Sequence, residues 1–168
     1  METVEVSTDS ERLSVVAIGD VHIGSLNSDL DSFQGALRYA KDNGSMVLFM
    51  GDLVDSISAS DPRFDPMNAD RKRMTIGEQT EYLEERLDWL GGPNIMGIIM
   101  GNHYHKYAVR AMVNEKAAIC KRLGCEYLGY RANIALKLNG VPYMISAWHG
   151  AGGGYEPGAV LNRMVKEP

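Results

Sequence analysis

The residues able to do chemistry fall in four short clusters. Asp20 and His22 stand in "GDVH" (19–22), Asp52 and Asp55 in "GDLVD" (51–55), Asn102 and His103 in "GNHYH" (101–105), and His149 in "WHG" (148–150). Asp20, His22, Asp52, Asn102 and His149 make a mixed oxygen and nitrogen donor set without sulfur, which suits manganese first, or iron, zinc or magnesium. Two such divalent ions about 3.5 to 4 Å apart clamp a phosphoester, turn a water into hydroxide at neutral pH and stabilise in-line displacement at phosphorus. Asp20 and His22 are two apart, so in an extended stretch both side chains point the same way. Asp52 has two oxygens and could bridge the ions, Asn102 offers a carbonyl oxygen, and His149 an imidazole. His103, beside Asn102, is placed to protonate a leaving oxygen or hold a phosphoryl group. Asp55 reads as a capping or structural residue rather than a ligand.

Strand ends must deliver these groups. "LSVVAIGD" stops at Asp20, "MVLFMGD" at Asp52, "IMGIIMGN" at Asn102 and "PYMISAWHG" at His149. Each is a nearly continuous apolar run, as expected of a strand covered on both faces. Helical patterns separate the first three. Residues 28–43 place Leu30, Phe33, Leu37 and Ala40 on one face before Gly44. Residues 75–90 open with a capping-box pair, Thr75 and Glu78, and line up Leu83, Leu87 and Leu90 before Gly91. Residues 106–123 carry Ala108, Met112, Ile119 and Leu123 before Gly124, and read as one helix. Strand alternating with helix predicts a mostly parallel sheet, in which groups at the carboxyl ends of the strands converge on one crevice.

After that the pattern changes. "RANIALKLNGVPYMISAWHG" reads as two strands joined at Asn139-Gly140, a hairpin signal. Residues 56–74 hold two prolines among acidic and basic side chains and read as an irregular surface excursion.

At 168 residues the chain fits a single domain. A composition of 45% hydrophobic and 23% charged residues is that of a globular protein. A formal net charge of -5 argues against gripping nucleic acid through the general surface, yet leaves room for a phosphate substrate held by metal. Cys120 and Cys125 are too few for a disulfide framework or a zinc ribbon and read as packed thiols. The polar, acidic start "METVEVSTDSER" does not read as a signal peptide, and no apolar run reaches the length of a membrane span, so no membrane partner and a cytoplasmic location are expected.

Taken in order, "GDVH", "GDLVD", "GNHYH" and "WHG" resemble the first four sequence blocks of the calcineurin-like metallophosphoesterases. The resemblance spans residues 19 to 150. It implies a two-sheet αββα sandwich with mixed sheets and a two-metal centre that hydrolyses phosphodiesters or phosphomonoesters through metal-bound hydroxide. Asp20, His22 and Asp52 would belong to the first metal, Asp52, Asn102 and His149 to the second, and His103 would be the catalytic histidine. A nuclease or other phosphodiesterase is the first expectation for substrate, because Arg63 and Arg73 of the excursion could steer an anion, with His105 as a further contact. A phosphomonoesterase acting on a nucleotide or protein stands beside it. For the arginines the competing reading is a solvated charge run, and for His105 a surface histidine.

Two positions depart from the family pattern. Tyr104 stands where the family usually has an acidic residue, which leaves the support of His103 open. The family's last block, Gly-His-x-His, is absent, so the domain is expected to lack its C-terminal part, and each metal one ligand. The alternative reading is an inactive fragment or binding module with an incomplete metal site. A nucleotide-binding doubly wound domain is a third. The glycine-rich "HGAGGGYEPG" lacks the ending of a P-loop and reads as a rim of the site.

Overall fold

Three of the apolar runs become short parallel strands, stacked edge to edge. The computed structural model describes residues 2–9, 11–57, 59, 61–111 and 115–150, and within them the fold is mixed α/β with two three-stranded sheets. In chain order the elements are β1 (Glu2–Thr8), β2 (Val15–Ile18), α1 (Leu30–Asp42), β3 (Met46–Phe49), α2 (Ile76–Leu90), a 3-10 turn (Gly92–Asn94), β4 (Ile95–Ile98), α3 (Asn102–Ala111), α4 (Glu115–Leu123), β5 (Arg131–Leu138) and β6 (Val141–Trp148).

One sheet has the order β2-β3-β4, all parallel, with Val16 opposite Val47 and Phe49 opposite Ile98. The other has the order β1-β5-β6, with β5 parallel to β1 and antiparallel to β6. The alternation of side chains along β3 explains how both faces of the first sheet are covered. Val47 and Phe49 pack with Phe33, Leu37, Leu83 and Leu87 of the helices, whereas Leu48 packs with Ile134 of β5 and Ala147 of β6. The layers among the described residues are therefore helices, parallel sheet, mixed sheet; no helix of a fourth layer lies among them.

Local signals account for most of the ends. Asp29 caps α1 by accepting from the Ser32 N–H at 2.9 Å. Thr75 and Glu78 form the expected capping box at α2. Asn139 and Gly140 turn the β5–β6 hairpin with φ of 46° and 82°, the left-handed pair that a tight two-residue turn requires. Residues 56–74 contain no helix or strand among the described residues, only turns and a bridge at Ala69.

Three elements differ from the sequence reading. The N-terminus, read only as a polar lead-in, is β1; Val6 packs against the inter-sheet core between exposed neighbours, as an edge strand allows. The helix placed over 106–123 begins at Asn102, one turn early, with Tyr104 buried in its first turn, and is described over Asn102–Ala111 and Glu115–Leu123. β6 is not covered on both faces: Val141, Tyr143 and Met144 are exposed. Trp148 at its end is half-buried, with the Arg131 guanidinium 6.0 Å from its ring centre. Met112 and the glycine-rich stretch 151–158 lie outside the described residues.

Candidate metal centre

Beyond β2 and β3 the chain does not spread apart. Residues 19–23 and 51–55 run on side by side, laced by Asp20 N–H to Gly51 O at 3.0 Å, His22 N–H to Asp52 O at 2.9 Å and Asp55 N–H to Ile23 O at 2.9 Å. The residues alternate in kind. Val21, Ile23, Leu53 and Val54 are buried in the helical core and anchor both segments, which leaves Asp20, His22, Asp52 and Asp55 to face a common space.

The stretch is not extended, as the two-residue spacing of Asp20 and His22 suggested. Asp20, His22 and Asp52 all have left-handed backbones, with φ of 52°, 51° and 45°. Such a conformation costs an L-residue about 1–2 kcal/mol. Residues held there cluster at functional sites, where packing over-determines the strain.

Two glycines let the strand ends approach. A Cβ on Gly101 would stand 2.0 Å from Asp52 Oδ1 and 2.1 Å from Asp52 N, and one on Gly51 would stand 2.6 Å from His149 Nδ1. The backbone of one strand end is thus in contact with the side chains of the others.

Asp52 is at the centre and almost fully buried. Its Oδ1 accepts the His103 N–H at 3.0 Å, in the first turn of α3, where the helix has unpaired donors. Its Oδ2 lies 3.2 Å from His149 Nε2. His149 Nδ1 lies 2.7 Å from the Met50 carbonyl oxygen, which can only accept, so a ring proton sits on Nδ1. Asn102 Oδ1 is 3.0 Å from the same Nε2. With Nε2 unprotonated, Asp52 Oδ2, His149 Nε2 and Asn102 Oδ1 are three acceptors facing one another, a place for a cation. Turned the other way, the Asn102 amide would donate to Asp52 Oδ2 at 3.2 Å and to His149 Nε2 at 3.0 Å, which satisfies the cluster without one.

On the other side of Asp52 stand His22 and His103, their ring centres 4.7 Å apart and nearly edge to face. Asp55 orients both. Its Oδ1 is 3.3 Å from His22 Nδ1, and its backbone oxygen is 2.9 Å from His103 Nδ1. Burial raises the Asp55 pKa, but the hydrogen bonds from His103 and His22 outweigh it and bring the carboxyl down to about 2. The bond to Asp55 pushes the His103 pKa up, against its burial and the charge of Arg63.

No protein-family model matches this chain, and no curated protein or solved structure does.

Function therefore has to be argued from the site. Ligand atoms of His22, Asp52 and His103 lie within 4.8 Å of one another, and so do those of Asp20, Asp52 and His149. Either trio could hold a divalent cation, with Asp52 common to both. The grouping differs from the expected one, since His103 falls with His22 and Asp20 with His149, although Asp20 Oδ1 is also 3.7 Å from His22 Nε2. All six residues singled out as ligands or catalytic histidine meet at this point.

The expected substrate contacts do not all join them. Arg63 grips Asp61 through Nε at 3.0 Å and a terminal nitrogen at 2.9 Å, near enough to the centre for its charge to act on His103. Arg73 turns to Asp70 at 2.6 Å and lies over the Tyr82 ring. His105 is exposed, one turn along α3, edge-on to Tyr130 at 5.9 Å. Tyr104 is buried, its hydroxyl accepting the Lys116 N–H, so His103 takes its support from Asp55 instead. Asp55 is the residue whose role the sequence understated. The signal was present in its spacing: three positions after Asp52, with Val54 between them as an anchor. None of the described helices is long and apolar enough to cross a membrane.

Proposed function

We propose that the chain is a metal-dependent phosphoesterase of the two-sheet metallophosphoesterase type, with two divalent cations sharing Asp52. One observation carries the reading: the backbone is left-handed at Asp20, His22 and Asp52, three side chains delivered to one point at a conformational cost that the surrounding packing must offset. The donor set fits the ions. It is oxygen and nitrogen only, gathered around the Asp52 carboxylate, and Gly51 and Gly101 leave room for close approach. Asp20, His22, Asp52, Asn102 and His149 would hold the ions, manganese first among the candidates.

Bound there, such ions supply Lewis-acid charge for the phosphoryl oxygens and lower the pKa of water. The chain's own groups do the rest. His103, its Nδ1 fixed on Asp55 and its pKa raised by that bond, would give a proton to the oxygen of the departing alcohol. Arg63, tethered to Asp61, adds positive charge beside the site. Met50 O holds the His149 tautomer that leaves Nε2 free to bind.

The test is hydrolysis of bis-p-nitrophenyl phosphate with added manganese, together with metal analysis of the protein. Turnover and bound metal, both lost in Asp52→Asn, are expected; no turnover, or full activity in Asp52→Asn, contradicts the proposal. The second reading, a binding module with an incomplete metal site, is favoured by the Asn102 amide, which in its other orientation satisfies Asp52 and His149 by itself. It predicts no gain in thermal stability on adding manganese.

A further inference from the structure

The candidate centre opens sideways into a cleft of ≈ 500 Å³ between the loop after β2 and the first turns of α1. That is the size of a small-molecule subsite. Asp20 and His22 line it where it meets the centre, Phe33, Ala17 and Ala36 are its apolar lining, and Asp29 lies among serines at the start of α1. Among the described residues no lysine or arginine lines it. Its carboxylates among the described residues are those of Asp20 and Asp29, and the N-capping bond from the Ser32 N–H holds the Asp29 carboxyl below its usual pKa, so it is charged at neutral pH. The arginines that made a nucleic-acid strand attractive are each paired, Arg63 with Asp61 and Arg73 with Asp70.

Resting on the phosphoesterase reading, we propose that this cleft takes the alcohol portion of the substrate, and that the substrate is a small phosphoester whose alcohol is uncharged or cationic rather than a nucleic-acid strand. The physical reason is charge. A strand carries one phosphate per nucleotide, and a second phosphate in this cleft would meet the Asp29 carboxylate with no basic side chain among the described lining residues to neutralise it. An uncharged or amine-bearing group meets an apolar surface on Phe33 and an acceptor on Asp29.

The experiment compares kcat/KM of the manganese-loaded protein for p-nitrophenyl phosphorylcholine, bis-p-nitrophenyl phosphate and a single-stranded oligonucleotide. Ser32→Lys and Ala17→Lys, each at an exposed lining position, add a cation to the cleft. The choline ester is expected to be favoured over the oligonucleotide by about tenfold or more, and both lysine variants to reduce that ratio by about tenfold. Turnover of bis-p-nitrophenyl phosphate with the oligonucleotide preferred, or a ratio that neither variant moves, overturns the cleft assignment alone. Turnover of none of the three contradicts the phosphoesterase reading and this inference with it.

Discussion

Asp55 and His103 are joined twice: His103 Nδ1 lies 2.9 Å from the backbone oxygen of Asp55 and 3.5 Å from its carboxylate Oδ1. The pair makes stability depend on pH in a predictable sense. Asp55 has a folded pKa of about 2, below its usual 3.8, so its contribution is present above pH 3.8 and is lost as pH falls toward 2. His103 has a raised pKa, so its contribution is present below pH 6.5 and is lost as pH rises through the folded value. In chelator, Asp55→Asn should cost about 1 kcal/mol between those limits and much less outside them. Thermal melts from pH 2 to 9 measure it; parallel profiles for the two proteins would count against the pairing.

Gly101 is predicted to tolerate no side chain. The nearest atoms to an added Cβ are Asp52 Oδ1 and Asp52 N, and a backbone atom cannot swing aside. Gly101→Ala should destabilise by about 1–3 kcal/mol in urea titration. Gly35 is the control: it lies inside α1 with no atom within 4 Å of an added Cβ, so Gly35→Ala should stabilise by about 0.5–1 kcal/mol. Equal effects would mean that the close approach of the strand ends is unimportant.

His149 should be a single tautomer. With Nδ1 bonded to Met50 O, nitrogen-15 NMR at pH 8 is expected to show the proton on Nδ1 and Nε2 bare. Removing the ring in His149→Ala should weaken manganese binding by at least about tenfold in calorimetric titration. A proton on Nε2, or unchanged affinity, would remove His149 from the centre.

Cys120 and Cys125 should differ in reactivity. Gly124, with φ of 69°, ends α4, and the Cys125 N–H bonds back to Cys120 O at 3.0 Å, a Schellman turn that brings the two side chains together. The hydrogen bond with Cys120 lowers the Cys125 pKa, while the same bond and burial push Cys120 up. A thiol reagent should modify Cys125 first, read by mass mapping at partial labelling; equal rates would contradict the asymmetry.

Much of this was legible in the residues because strand-end chemistry and strand-forming runs are written next to each other. "MVLFMGD" announces both a buried strand and the aspartate at its end, and β3 with Asp52 follows. The Thr75–Glu78 capping box and the Asn139-Gly140 turn are local devices, so they could be read without the fold. What was missed depends on distant partners. β1 exists because β5, more than a hundred residues later, pairs with it. Arg73 is drawn to Asp70 and Tyr82 rather than the site, which spacing alone does not reveal. Asp55 serves two histidines from different segments, a role set by three-dimensional convergence.

The central claim is that Asp52 is shared between two cations, and crystallography with manganese tests it most directly. Anomalous difference density should show two peaks, each about 2.0–2.3 Å from an Asp52 oxygen, one near His22 and one near His149. A map with no peak in contact with Asp52 at saturating manganese would contradict it.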